Sequence, residues 1–144
     1  MVSMLFTACS NSRPYLYQGN QNLTVHTVKK SNSYLTGIGI DMHIYKVNSC
    51  TDKQYLGSID LLKKPTTSIA LPSDELLMLK VEFSYTSISY SGSMEDISYL
   101  KIRPGFIYHA NVMHAKGVYN VTITETNPTT KQTREIDIDT LEGC

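Results

Sequence analysis

Residues 37–47 read Gly37-Ile38-Gly39-Ile40-Asp41-Met42-His43-Ile44-Tyr45-Lys46-Val47. In an extended chain Ile38, Ile40, Met42 and Ile44 fall on one face, and Asp41, His43 and Tyr45 on the other. Side chains alternate across a strand, so this period of two marks a strand with one apolar and one wet face. Leu77–Tyr85 repeats the pattern, with Leu77, Leu79, Val81, Phe83 and Tyr85 opposed to Lys80, Glu82 and Ser84. Over Asp74–Lys80 a helix competes, because acidic residues follow Ser73 as they would follow a helix cap. The alternation that runs on to Tyr85 decides for a strand.

The same signal recurs on both sides. Leu23–Val28, Gln54–Leu62, Thr66–Leu71, Phe106–Met113, Val118–Glu125 and Lys131–Asp139 read as strands, and Tyr99–Ile102 leads into the turn at Arg103. Between them lie turns: 48–53, Lys63-Lys64-Pro65, Pro72-Ser73-Asp74, Arg103-Pro104-Gly105, Lys116-Gly117 and Asn127-Pro128-Thr129-Thr130. Residues 86–96, TSISYSGSMED, read as a Ser-rich loop. Short strands spaced near ten residues apart, without a helical pattern, specify an all-β fold: an antiparallel β-sandwich of about seven to nine strands. Connections this short exclude the crossovers that parallel neighbours need.

The chain has 144 residues, 41% of them hydrophobic, which fits one β-sandwich domain over 22–144. Thirteen basic and thirteen acidic residues cancel. A nucleic-acid partner is therefore not expected, since phosphate binding needs a basic surplus. Ten tyrosines and no tryptophan accompany a low charged fraction of 18%. No apolar run reaches the roughly 18 residues of a membrane-spanning helix.

Catalytic and metal-ligating patterns are missing. His26, His43, His109 and His114 occur without H-x-H or H-E-x-x-H spacing, and no cysteine lies near a histidine, so neither a metal nor a cofactor is expected. His109 and His114, five apart, point to opposite faces of one strand. Asp137, Asp139 and Glu142 suit a solvated strand face better than a calcium loop, which needs twelve residues and a central glycine. Neither a G-x-S-x-G elbow nor a Gly-rich phosphate loop occurs. The reading is non-enzymatic. Tyr85, Tyr90 and Tyr99 border the 86–98 loop and are its candidate binding residues, because tyrosine supplies contact area at low entropic cost. Cross-strand packing is the competing role for each.

Phe6-Thr7-Ala8-Cys9 resembles the lipobox of bacterial lipoproteins: a bulky apolar residue, two small residues, then cysteine. The resemblance implies that residues 1–8 are the remnant of a signal peptide, that Cys9 is diacylated, and that 9–21 form a tether. Since 1–8 lack Lys and Arg and are short for such a segment, a basic, apolar extension is expected before Met1. An ordinary N-terminal strand is the alternative. Ser10 in place of Asp implies sorting to the outer membrane, facing the periplasm. With Cys9 acylated in an oxidising compartment, Cys50 and Cys144 remain as an expected disulfide pair, two unrelated free thiols being the alternative. Closing so long a loop contributes about 4–5 kcal/mol in the chain-entropy account. Gly57-Ser58-Ile59, Ile69-Ala70-Leu71-Pro72, Pro104-Gly105-Phe106-Ile107-Tyr108 and Gly117-Val118-Tyr119-Asn120-Val121 are similar to the transthyretin- or immunoglobulin-type sandwiches of small envelope lipoproteins. That likeness implies a fold and no activity. The expectation is a membrane-anchored binding or assembly module with an envelope protein partner; the alternative is a small periplasmic inhibitor or cell-wall-acting enzyme.

Overall fold

Alternation becomes pairing in the computed structural model, which describes residues 13–30, 37–86, 91–115 and 118–136. The described strands, in chain order, are β1 (Leu23–Lys30), β2 (Gly37–Val47), β3 (Lys53–Asp60), β4 (Thr66–Ile69), β5 (Leu76–Thr86), β6 (Ser91–Lys101), β7 (Ile107–Ala115), β8 (Val118–Thr126) and β9 (Thr133–Ile136). They form two sheets, ordered β4-β1-β7-β8-β9 and β3-β2-β5-β6. The fold is the all-β sandwich that the periodicity specifies.

The apolar phases meet between the sheets. Ile40, Met42 and Ile44 of β2 and Leu77, Leu79, Val81 and Phe83 of β5 are buried, as are Leu23 and Val25 of β1, Tyr108, Ala110 and Val112 of β7, and Ile123 of β8. Phe83 reaches across to Tyr119 of β8, with ring centroids 4.8 Å apart and planes tilted by 53°. Tilted aromatic pairs at this range add to the burial of their own area. His109 is exposed and His114 buried, on opposite faces of β7 as their spacing requires.

The strand order separates this sandwich from the immunoglobulin type, which groups its first, second, fourth and fifth strands in one sheet. Here β1 and β2 lie in different sheets, so the immunoglobulin grouping does not apply. One pairing is parallel: β1 runs with β7, Leu23 opposite Tyr108 through Lys30 opposite Ala115. Short connections force antiparallel pairing only on strands that follow one another. β1 and β7 are separated by the whole second sheet, so that constraint does not reach them.

Two further differences concern boundaries. Strand β6 begins at Ser91, inside the stretch expected as a loop, and pairs with β5 from Thr86–Ser91 to Leu76–Lys101. It is an edge strand of exposed and half-buried residues, with Leu100 its buried residue, so no apolar alternation marked it. Of the tether expected over 9–21, the part from Arg13 onward lies on the domain. Tyr15 N–H donates to Ser58 O at 3.1 Å and Ser58 N–H to Arg13 O at 2.8 Å. The Tyr15 hydroxyl donates to Ala70 O at 2.6 Å. This strap covers the outer edge of β3, an edge that would otherwise present open backbone groups.

Gly57 makes room for the strap. Its φ is +147°, and a Cβ there would lie 2.5 Å from Tyr15 Cα and 2.9 Å from Pro14 O. The neighbouring register shift, between Ile44 and Tyr45 of β2, bends β3 at the same point. Gly57→Ala should therefore lift residues 13–15 off β3 and cost about 1–3 kcal/mol. Amide hydrogen exchange at Tyr15 and Ser58 should speed up together. Unchanged exchange at both would show that the strap does not depend on Gly57.

Candidate anion-binding site

Strand β8 carries a charge in its inward phase. Tyr119, Val121, Ile123 and Glu125 share that face, and Glu125 is only 3% exposed. A carboxylate desolvated to this degree must be neutralised and hydrogen-bonded where it sits. The sheet register supplies both partners, because Tyr108 of β7 and Arg134 of β9 lie directly opposite Glu125 on either side. Tyr108 donates its hydroxyl to Glu125 Oε2 at 2.7 Å. Arg134 Nε donates to Oε1 at 3.1 Å. Arg103, from the turn before β7, donates Nη1 to the same oxygen at 3.1 Å.

The turn is held in place by the same group. Arg103 N–H donates to the Tyr108 hydroxyl at 2.9 Å. Pro104 and Gly105 then reverse the chain, Gly105 with a φ of +79° that glycine takes without steric cost. Phe106 follows, and the Arg103 guanidinium lies over its ring at 4.2 Å from the centroid. Aromatic backing of this kind fixes a guanidinium plane while leaving its edge open.

Electrostatics follow from these contacts. Burial by itself would raise the Glu125 pKa. The hydrogen bonds from Tyr108 and Arg103 and the charge of Arg134 outweigh it and hold the carboxyl below its ordinary value. Burial pushes the Tyr108 phenol up to about 12. Glu125 is thus ionised and saturated at neutral pH, and is no general acid. The arginines differ: Arg103 and Arg134 side chains are 52% and 68% exposed. Among the described residues Glu125 is the hydrogen-bond acceptor of both, which leaves most of each guanidinium's five donors unspent. Both line a cavity of about 550 Å³ together with Phe106, Asn127, Gln132 and Thr133. A second cavity of about 540 Å³ shares Arg103, Phe106, Glu125 and Arg134 and adds Lys101, Asp74 and Pro104. Two cations against one buried anion leave a positive surplus at the mouth.

A different cluster lies on the outer face of the four-stranded sheet. Asp60, Asp41, Glu82 and Glu95 stand opposite one another in a row across β3, β2, β5 and β6. Burial raises the Asp41 pKa, Asp60 and Glu82 raise it further, and His43 opposes them. In the adjacent row His43 Nδ1 and Ser58 Oγ are hydrogen-bonded at 2.5 Å. The Ser58 hydroxyl also bonds the Tyr55 hydroxyl. Asp41, His43, Ser58, Asp60 and Glu82 line a cavity of about 490 Å³ with Arg13 and Pro14. The Ser58 N–H, which an oxyanion would need, is already donated to Arg13 O.

The residues singled out from sequence do not converge. Tyr85 lies on the inward phase of β5 beside Gly92, whereas Tyr99, opposite Met78, is on the outer face. Seven ladder positions separate the two pairs, about 23 Å of strand. Tyr90 lies outside the described residues. His26 bonds Thr66 at 3.0 Å on the surface. His114 is buried with Nδ1 unpaired, and burial, helped by Lys29, pulls its pKa down. Cys50 is exposed in the turn between β2 and β3 and is disulfide-bonded. Cys9 and Cys144 lie outside the described residues, as do Asp137, Asp139 and Glu142. Among the described residues no group of three or more His, Cys, Asp or Glu side chains is placed to hold a metal ion. Sequence reasoning missed Glu125, although an acid in the apolar phase of Tyr119-Val121-Ile123 was the signal.

Replacing Glu125 by Gln keeps the shape and removes the charge. Stability at neutral pH should fall by about 1.5–3 kcal/mol, the range of charge-assisted hydrogen bonds. Because the folded pKa is lowered, the contribution of Glu125 is full above the ordinary carboxylate value and is lost as pH falls through the folded one. Denaturant unfolding curves of wild type and Glu125→Gln should therefore converge on the acid side. Equal stability at neutral pH would remove Glu125 as the keystone. No protein-family model, no curated protein and no solved structure matches this chain.

Proposed function

We propose that this chain is a non-enzymatic binding or assembly module, held at a bacterial membrane by lipid on Cys9. The observation that carries the binding role is the pair of exposed arginines, fixed by a buried carboxylate and lining a cavity. Such donors are pre-organised, so a ligand meets them without an ordering cost. The anchor rests on Phe6-Thr7-Ala8-Cys9, and Ser10 directs the reading to the outer membrane with the domain in the periplasm, beside an envelope protein partner. In this reading the partner of Cys50 is Cys144, which leaves Cys9 for the lipid. That bond closes a long loop and ties down the chain end.

A second reading, a small envelope enzyme or inhibitor of one, is favoured by one observation: Ser58 and His43 are hydrogen-bonded beside Asp41 and Asp60. A fluorophosphonate that labels Ser58, and fails to label a His43→Ala variant, would promote this reading over the first.

Two measurements test the anchor in cells expressing the full reading frame. A clickable palmitate analogue should label the wild type and leave Cys9→Ser unlabelled. Peptide mapping without reduction should recover a Cys50–Cys144 link. Label on Cys9→Ser, or a Cys9–Cys50 link, would reject the lipid anchor.

A further inference from the structure

We infer that the cavity at Arg103 and Arg134 binds an organic monocarboxylate, its carboxylate on the two guanidinium edges and its body against Phe106. The inference rests on the binding-module reading and gives its ligand a chemistry. Three features lead to it.

The first is charge. Neutralising Glu125 needs one cation, and two are present, both donating to the same oxygen at 3.1 Å. With Tyr108 on the other oxygen, Glu125 has no need of the second arginine. The surplus is one positive charge, which a monoanion cancels and a phosphate dianion overshoots. The second is geometry. A guanidinium presents parallel donors that match the two oxygens of a carboxylate. Stacking on Phe106 fixes the plane of Arg103, and cross-strand pairing with Glu125 fixes the root of Arg134.

The third is the remainder of the wall. Phe106 lines both cavities and Pro104 the second, so apolar carbon borders the arginines in each. In the first cavity Asn127 has its Oδ1 occupied by the Thr129 N–H at 2.9 Å, so its NH₂ group is the polar end still to be used. Gln132 stands beside it. A bare inorganic anion would use the arginines alone. A carboxylate on an organic body uses more of the lining: the arginines for its charge, Phe106 for its carbon, and the amides for a hydroxyl. Aromatic acids and sugar acids both carry that chemistry.

The whole domain labelled with ¹⁵N decides the matter. Benzoate and glucuronate should shift the Arg134 Nε–H and Arg103 side-chain signals saturably, and benzamide, the neutral isostere, should not. The tighter of the two acids identifies the body the wall prefers. Arg134→Gln should weaken either acid by about tenfold or more, the loss of one charge-assisted contact. Arg134 is the more exposed arginine, and thermal unfolding of that variant confirms the fold during the titration. Absence of any saturable shift with both acids would overturn the inference, as would equal affinity in Arg134→Gln. Inorganic phosphate binding as tightly as the acids would overturn the carboxylate assignment while leaving a binding module standing. Loss of the palmitate label from the wild type would do the reverse, removing the anchor and leaving the pocket.

Discussion

A carboxylate placed among apolar side chains cannot be left to water, and Glu125 is such a group. Its position at the inward phase of β8 obliges β7 to present Tyr108 and β9 to present Arg134 at the same level of the sheet. It obliges the turn before β7 to turn Arg103 inward as well. Through Arg103 the Pro104-Gly105 reversal and Phe106 acquire fixed positions. The short edge strand β9, four residues long, gains from Arg134 a tie in addition to its ladder to β8, the Thr126–Thr133 hydroxyl bond and Ile136 against the core. One buried charge thus organises one end of the sandwich, and the cavity there is a by-product of how that charge is satisfied.

The outer face of the other sheet shows the opposite arrangement. Four carboxylates in one cross-strand row repel each other, and directly opposed like charges weaken a sheet. Lys80 relieves part of this through Glu95 at 3.7 Å, and solvent screens the rest. What the row provides is a face on which a second like-charged face cannot stack.

Most strands were legible because their apolar residues recur every second position, and β5 runs over Leu76–Thr86, the span the alternation indicated. Strand β6 was not legible. It lies at the sheet edge, Met94 is 49% exposed, and a strand with nothing opposite it has no reason to alternate. Tyr85 and Tyr99 fall on different faces for a reason of parity. Residues 85 and 99 are both odd, but the β5–β6 register pairs odd with even positions, so equal parity places them on opposite faces. The site itself needed register: Tyr108, Glu125 and Arg134 are far apart in sequence and become neighbours only when β7, β8 and β9 are aligned. The parallel pairing of β1 with β7 is likewise a matter of how whole sheets fold over, which no local pattern encodes.

The strap at Arg13–Tyr15 has a mechanical meaning. A pull on Arg13 loads its contacts with the Tyr55 carbonyl and ring together with two backbone hydrogen bonds on the β3 edge, then the Tyr15 hydroxyl on Ala70. Next in line is Asn22, whose side chain bridges Leu71 with bonds of 2.9 and 2.7 Å. These contacts open one after another, like a zip, before β1 feels any load. The long β1–β7 ladder behind them is pulled along its length and resists as a unit. A pull applied at Arg13 therefore meets a soft stage and then a stiff one, and the soft stage leaves the sandwich undisturbed.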